Sequence, residues 1–162
     1  IIDNRVPLSE SENIRKASNF FIRILEQTGI RQIASQGLAA APLAGSIASL
    51  SPFSINVGII RDESKGYGKN KRIEGTIESH MPVLIVDDLM NGGNSAMNSL
   101  KALKEEGFSD ISLATLMWYD WGEGKEKLKI NQGKLPYYYG MRISKIGRTS
   151  SNQNKNGCFL KK

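Results

Sequence analysis

The chain holds one cysteine, Cys158, and one histidine, His80, among its 162 residues. A lone thiol closes no internal disulfide, so a reducing compartment, the cytoplasm, is expected. No grouping of His, Cys and carboxylates has metal-ligand spacing, and no protein-held metal is expected. Long apolar runs are missing as well. None reaches the roughly 18 residues of a membrane-spanning helix, and no signal-peptide pattern opens the sequence. Cys158 lies in a polar stretch, which argues against a reactive role. His80 falls in a turn ahead of Pro82, where a surface role is favoured over catalysis.

What is present is the composition of an ordinary globular domain, 40% hydrophobic and 23% charged, long enough to bury a substantial core. The net charge of +6 admits nucleic acid, a membrane surface or an anionic small molecule as partner. Much of it lies in residues 61–72 and 142–162. The first segment, RDESKGYGKNKR, suits a polyanionic substrate, and the second reads as a solvated end. No nucleic-acid motif accompanies the charge, so neither nucleic acid nor membrane is expected as a partner. The domain is expected over 1–148, with a polar, flexible tail at 149–162. The sequence begins at Ile1 without Met, in a strand-like pattern (Ile1, Ile2, Val6), and does not decide whether a segment precedes it.

Apolar spacing predicts a helix over 9–28, capped by Ser9 or Ser11 and stopped by Gly29, then a strand over 30–36. A second helix starts near Pro42, a buried strand covers 54–60, and a basic, Gly-rich loop covers 62–76. A strand over 82–87 leads to a helix from about Ser95 to Glu106, ended by Gly107. A strand over 110–118 follows, with a short helix near 123–130 and an extended segment near 137–143. Strands alternating with helices imply an α/β fold, a mostly parallel central sheet flanked by helices.

The most informative stretch is PVLIVDDLMNGGNSAMNS, residues 82–99. Val83, Leu84, Ile85 and Val86 form a continuous apolar run, the mark of a strand buried on both faces. It runs into Asp87 and Asp88 at the end where open α/β sheets place their ligands. Gly92, Gly93 and a helix N-terminus then offer backbone N–H groups to an anion, most simply a phosphate. Two carboxylates repel a phosphate but suit the hydroxyl groups of the sugar that carries it. The implied ligand is a phosphorylated ribose.

This order of strand, paired acids and small-residue loop resembles the phosphoribosyl pyrophosphate (PRPP) motif of type I phosphoribosyltransferases. A second stretch, VGIIRDESKGYGKNKRIEGTI (57–77), resembles the mobile catalytic loop of the orotate phosphoribosyltransferases through Arg61, Lys65, Gly66, Tyr67, Gly68 and Glu74-Gly75. Together with the Ala/Pro-rich loop Leu38–Leu43, the likeness covers most of residues 1–130, and Ile2-Asp3-Asn4-Arg5 resembles the family's first strand. The resemblance implies Lys65, Arg61 and Asp88 as catalytic residues. It implies that Asp87 and Asp88 hold the ribose hydroxyls and that Asn91, Gly92, Gly93, Asn94 and Ser95 cradle the 5′-phosphate. Leu38, Ala39, Ala40 and Tyr67 are implied at the pyrophosphate. Mg²⁺ would arrive bound through PRPP, the other substrate would be a nucleobase, and the protein would be a homodimer.

Four features depart from the family's pattern. Asn91 and Asn94 stand where Thr or Ser is usual, and Asp62 where a catalytic Lys is usual. Leu38-Ala39-Ala40 carries no Lys. Tyr119-Asp120-Trp121 replaces an Asp-Arg pair whose Arg helps to hold the orotate carboxylate, with Arg142 or a missing N-terminal segment as candidates to compensate. Trp118 reads as core, and Trp121 as a candidate for stacking a base. The expected activity is transfer of the 5-phosphoribosyl group from PRPP to a nucleobase, with orotate first among named bases. The alternative is a PRPP-binding regulatory protein or a catalytically impaired homologue, motivated by Asp62 and Asp120.

Overall fold

A computed structural model describes residues 3–38, 40–61, 72–119 and 135–143. In chain order the elements are a 3₁₀ turn (Pro7–Ser9), α1 (Ser11–Thr28), β1 (Gln32–Gln36), α2 (Ala40–Leu50), β2 (Asn56–Ile60), β3 (Ile73–Gly75), β4 (Val83–Met90), α3 (Asn94–Glu105), β5 (Ile111–Tyr119) and β6 (Tyr137–Ile143). The strands form one sheet in the order β3-β2-β1-β4-β5-β6. Every pairing is parallel except β2 with β3.

The order runs outward in opposite directions from the β1/β4 boundary. Right-handed crossovers then put the connecting helices on opposite faces. Packing agrees: Phe21, Ile24 and Leu25 of α1 and Leu43 and Ile47 of α2 meet Ile33, Leu84 and Val86. Ala96, Leu100 and Leu103 of α3 meet Ala34, Val83, Ile85 and Leu113 on the other side. Alternate residues of β4 thus serve two cores, which is why its apolar run is unbroken.

Several expectations change. Residues 5–9 form a turn and the 3₁₀ helix rather than a strand, with Leu8 N–H bonded to the Asn4 carbonyl. No side-chain hydrogen bond caps α1: Glu10 is the cap residue, Ser9 Oγ bonds the Val6 carbonyl, and Asn13 donates to Glu10. Inside the stretch read as a loop, Ile73–Gly75 forms an antiparallel edge strand because Ile73 packs under β2 against the α3-side core. The strand expected to stop at Asp87 continues to Met90, because Leu89 and Met90 complete the ladder to Met117 and Trp118 and Met90 is buried. The helix expected near 123–130 and the tail at 149–162 lie outside the described residues.

Face alternation is reset at one level across three strands. Ile85 and Met90 share the α3 face five residues apart, as do Leu113 and Trp118. On β6, Gly140 faces Phe20 of α1 while Arg142 lies over Trp118. Register is kept on both sides of the kink, at Asp87–Thr115–Tyr139 and Leu89–Met117–Met141. Thr115 Oγ1 donates to the Met117 carbonyl at 2.9 Å. Gly140 sits so close that a Cβ there would lie 2.9 Å from the Leu116 oxygen. The kink falls beside Asp88.

Candidate functional site

Parallel strands bring their C-terminal ends to one edge, and strand order reverses direction between β1 and β4. A crevice at that edge is the ligand position that such sheets provide. Two turns form it: Gly37 and Leu38 after β1, and Asn91, Gly92 and Gly93 after β4. Ser99 of α3 ties them together by donating from Oγ to Gln36 Oε1 at 2.7 Å. Gly93 takes a left-handed backbone (φ 72°) as the cap of α3, a conformation that glycine adopts without Cβ strain. Asn94 and Ser95 open the helix and are exposed, as is Leu38, whereas Ala40 is buried at the start of α2.

Asp87 and Asp88 are both half-buried. In a regular strand they would point to opposite faces. At the kink their side chains hydrogen-bond one another. Burial pushes Asp87 up to about 7, and the neighbouring charge of Asp88 adds to the effect. Burial also raises Asp88, opposed chiefly by a hydrogen bond from the Asn4 side chain. The pair therefore holds one proton near neutrality, mainly on Asp87. One ionised and one neutral carboxyl can accept from and donate to a vicinal diol.

Beyond Asp87 lies an aromatic group from the two outer strands. Trp118 packs edge-on to Tyr137, with ring centroids 5.6 Å apart, and against Tyr139 at 5.2 Å. Burial and the charge of Asp87 raise Tyr137 above its ordinary value, so its phenol stays protonated. Trp118 is core, as expected, with the Arg142 guanidinium 5.4 Å from its ring.

Arg61 sits one residue past β2 at the same sheet edge. Its guanidinium pairs with Glu74 of β3 at 3.2 Å. His80 is exposed in its turn, 3.3 Å from Glu78. Ala39, Asp62, Lys65, Gly66, Tyr67, Gly68, Asp120 and Trp121 lie outside the described residues. Among the described residues no group of three or more His, Cys, Asp or Glu is arranged to hold a metal ion, and no helix is long and apolar enough to cross a membrane. Sequence reasoning missed Asn4, Gln36, Ser99 and Tyr137 as parts of the site's frame. A hydrophilic residue between Ile2 and Val6 carries no signal that it will meet Asp88.

No family model matches the chain. Among curated proteins it is 27% identical over 135 residues to the orotate phosphoribosyltransferase of Oceanobacillus iheyensis, covering 83% of this chain and 66% of that protein. The corresponding figures for the Bacillus mycoides enzyme of the same name are 32% over 93 residues, 57% and 44%. The chain thus spans between about half and two-thirds of the length of these relatives. In three dimensions it matches Mycobacterium tuberculosis orotate phosphoribosyltransferase in complex with PRPP, with a TM-score of 0.73, 20% identity and coverage of 88% and 80%. The fold is the type I phosphoribosyltransferase fold. The same phosphoribosyltransferase fold, with a TM-score of 0.66, 15% identity and 88% coverage of both chains, is found in adenine phosphoribosyltransferase from Thermoanaerobacter pseudethanolicus. The two curated proteins to which this chain is compared above, by contrast, bear the name orotate phosphoribosyltransferase.

Proposed function

We propose that the chain binds PRPP at the β1/β4 crevice and transfers its 5-phosphoribosyl group to a nucleobase nitrogen, with orotate first among the bases. The observation that carries this reading is the adjacent carboxyl pair Asp87–Asp88 near the C-terminal end of β4, followed by the Gly92-Gly93 turn that opens α3. Asp87 and Asp88 take the ribose hydroxyls. Asn91, Gly92, Gly93, Asn94 and Ser95 take the 5′-phosphate through backbone N–H groups and short polar side chains. Leu38, Ala39 and Ala40 take the pyrophosphate through their backbone.

In the transfer the bond from C1 to the pyrophosphate oxygen breaks and a bond from C1 to the base nitrogen forms. The leaving group gains negative charge while the ribose becomes cation-like. Arg61, Lys65 and Tyr67 cover the pyrophosphate, and closure of their segment excludes water from the cation-like sugar. Asp88, which also acts near the reacting base in this reading, offsets positive charge there when ionised. Two carboxyls that share a proton are poor ligands for a hard cation and good partners for hydroxyls. Mg²⁺, bound through PRPP, supplies charge neutralisation on the leaving group. A homodimer in the cytoplasm completes the reading.

Pyrophosphate release from PRPP and Mg²⁺, screened against orotate, other pyrimidines and purines, tests it. Turnover with one base supports the transferase. PRPP binding without turnover on any base refutes it in favour of a binding or regulatory protein.

A further inference from the structure

The segment ahead of α1 is exposed at Asp3, Arg5, Val6 and Pro7, yet Asn4 between them is only 5% exposed. A buried carboxamide is costly unless it is hydrogen-bonded. Asn4 Nδ2 donates to the Asp88 carbonyl at 3.1 Å, across 84 residues of chain. The same side chain hydrogen-bonds the Asp88 carboxyl. Both contacts fall at the kink, where the strand departs from regular alternation.

We propose that Asn4 is a positioning residue: its buried carboxamide, reaching across 84 residues of chain, fixes the orientation of Asp88 at the kink. The assignment deepens the PRPP reading and rests on it for its consequence in binding. The contacts themselves stand independently.

The chemistry follows from the donor. Both Asn4 contacts use an N–H, and an N–H favours the ionised form of the carboxyl it meets. Among the described residues, the charged and titratable groups around Asp88 are few. Asp87 is adjacent on the same strand, and its charge in turn acts on Tyr137 of β6. Asp3 and Arg5 flank Asn4 and pair with each other at 2.7 Å. Asp3 disfavours charge on Asp88, and Arg5 is itself stabilised by that charge. Burial of Asp87 is the main cause of its holding the proton, and Asn4 adds to it by favouring the ionised form of Asp88. A ribose hydroxyl then meets an ionised acceptor of fixed orientation.

The test compares parent, Asn4→Ala and the near-isosteric Asn4→Leu, which removes the N–H without adding a charge, by carbon-detected NMR titration of the aspartate carboxyls in the ligand-free protein. Loss of the N–H is expected to move the Asp88 midpoint upward by roughly half to one pH unit. An unchanged midpoint in whichever variant folds overturns the assignment, and the near-isosteric variant preserves the packing if Asn4→Ala does not. Calorimetric titration with PRPP and Mg²⁺ at pH 5.5 and 8 is the second arm. The variants are expected to lose more affinity at pH 5.5 than at pH 8, by at most roughly three- to tenfold, the range that a shift of half to one unit allows. An equal loss at both would mean a merely structural role and overturn it too. If the parent binds no PRPP, the functional reading falls, and the NMR titration decides Asn4 alone.

Discussion

Replacing Asp87 by Asn separates the stability of the fold from the function of its acid pair. In the native state burial, with Asp88 beside it, carries Asp87 from 3.8 to about 7. In the unfolded chain the group titrates near its ordinary value. Between about pH 4 and pH 7 the native state therefore binds the extra proton, and stability falls as pH rises through that window. The fall is complete above about pH 7 and absent below about pH 4. Asp88, also raised, acts in the same sense, whereas Asp3, held low by Arg5, acts in the opposite sense at more acidic pH. A displacement of this size corresponds to about 4 kcal/mol, and sharing of the proton with Asp88 puts the working range at about 2–4 kcal/mol. Asp87→Asn is expected to match the parent near pH 4, to exceed its stability at pH 8 by that amount, and to lose PRPP affinity. Guanidinium unfolding of both proteins at several pH values reads the difference from the midpoints. A parent whose stability rises between pH 5 and 8, or a variant weaker than the parent at pH 8, would refute the reasoning.

Gly140→Ala places a Cβ 2.9 Å from the Leu116 carbonyl oxygen and is expected to cost about 1–3 kcal/mol by thermal melting; an unchanged midpoint would mean that the kink does not depend on this close approach. Gln32→Leu removes the bonds by which a buried carboxamide holds the Glu78 N–H and the Glu78 and Met81 carbonyls. A loss of about 2–4 kcal/mol is expected, and near-neutrality would show that the turn into β4 stands alone. Lys65→Ala is expected to reduce turnover while leaving PRPP affinity largely intact; equal losses of both would contradict a role in loop closure.

The sheet was readable in the sequence because burial on both faces leaves the unbroken run Val83–Val86, and α1 because its apolar residues recur on one face. The chain's ends of elements were less readable. Leu89 and Met90 look like loop residues in sequence, since only the pairing to Met117 and Trp118 makes them strand. Asp87 and Asp88 were legible as a pair, but their convergence depends on a kink set partly by Gly140 and Thr115, far along the chain. Asn4 was illegible as a partner of Asp88 because no local pattern encodes a contact 84 residues away. The Arg61–Glu74 pair belongs to the same class, as it requires an edge strand inside a segment read as a loop.

The central claim is that this edge of the sheet holds a phosphorylated ribose bearing pyrophosphate. Isothermal titration of the protein with PRPP, with and without Mg²⁺, tests it most directly. Saturable binding that is lost in Asp87→Asn and strengthened by Mg²⁺ is predicted. No heat of binding under either condition, from a folded protein, would contradict the claim.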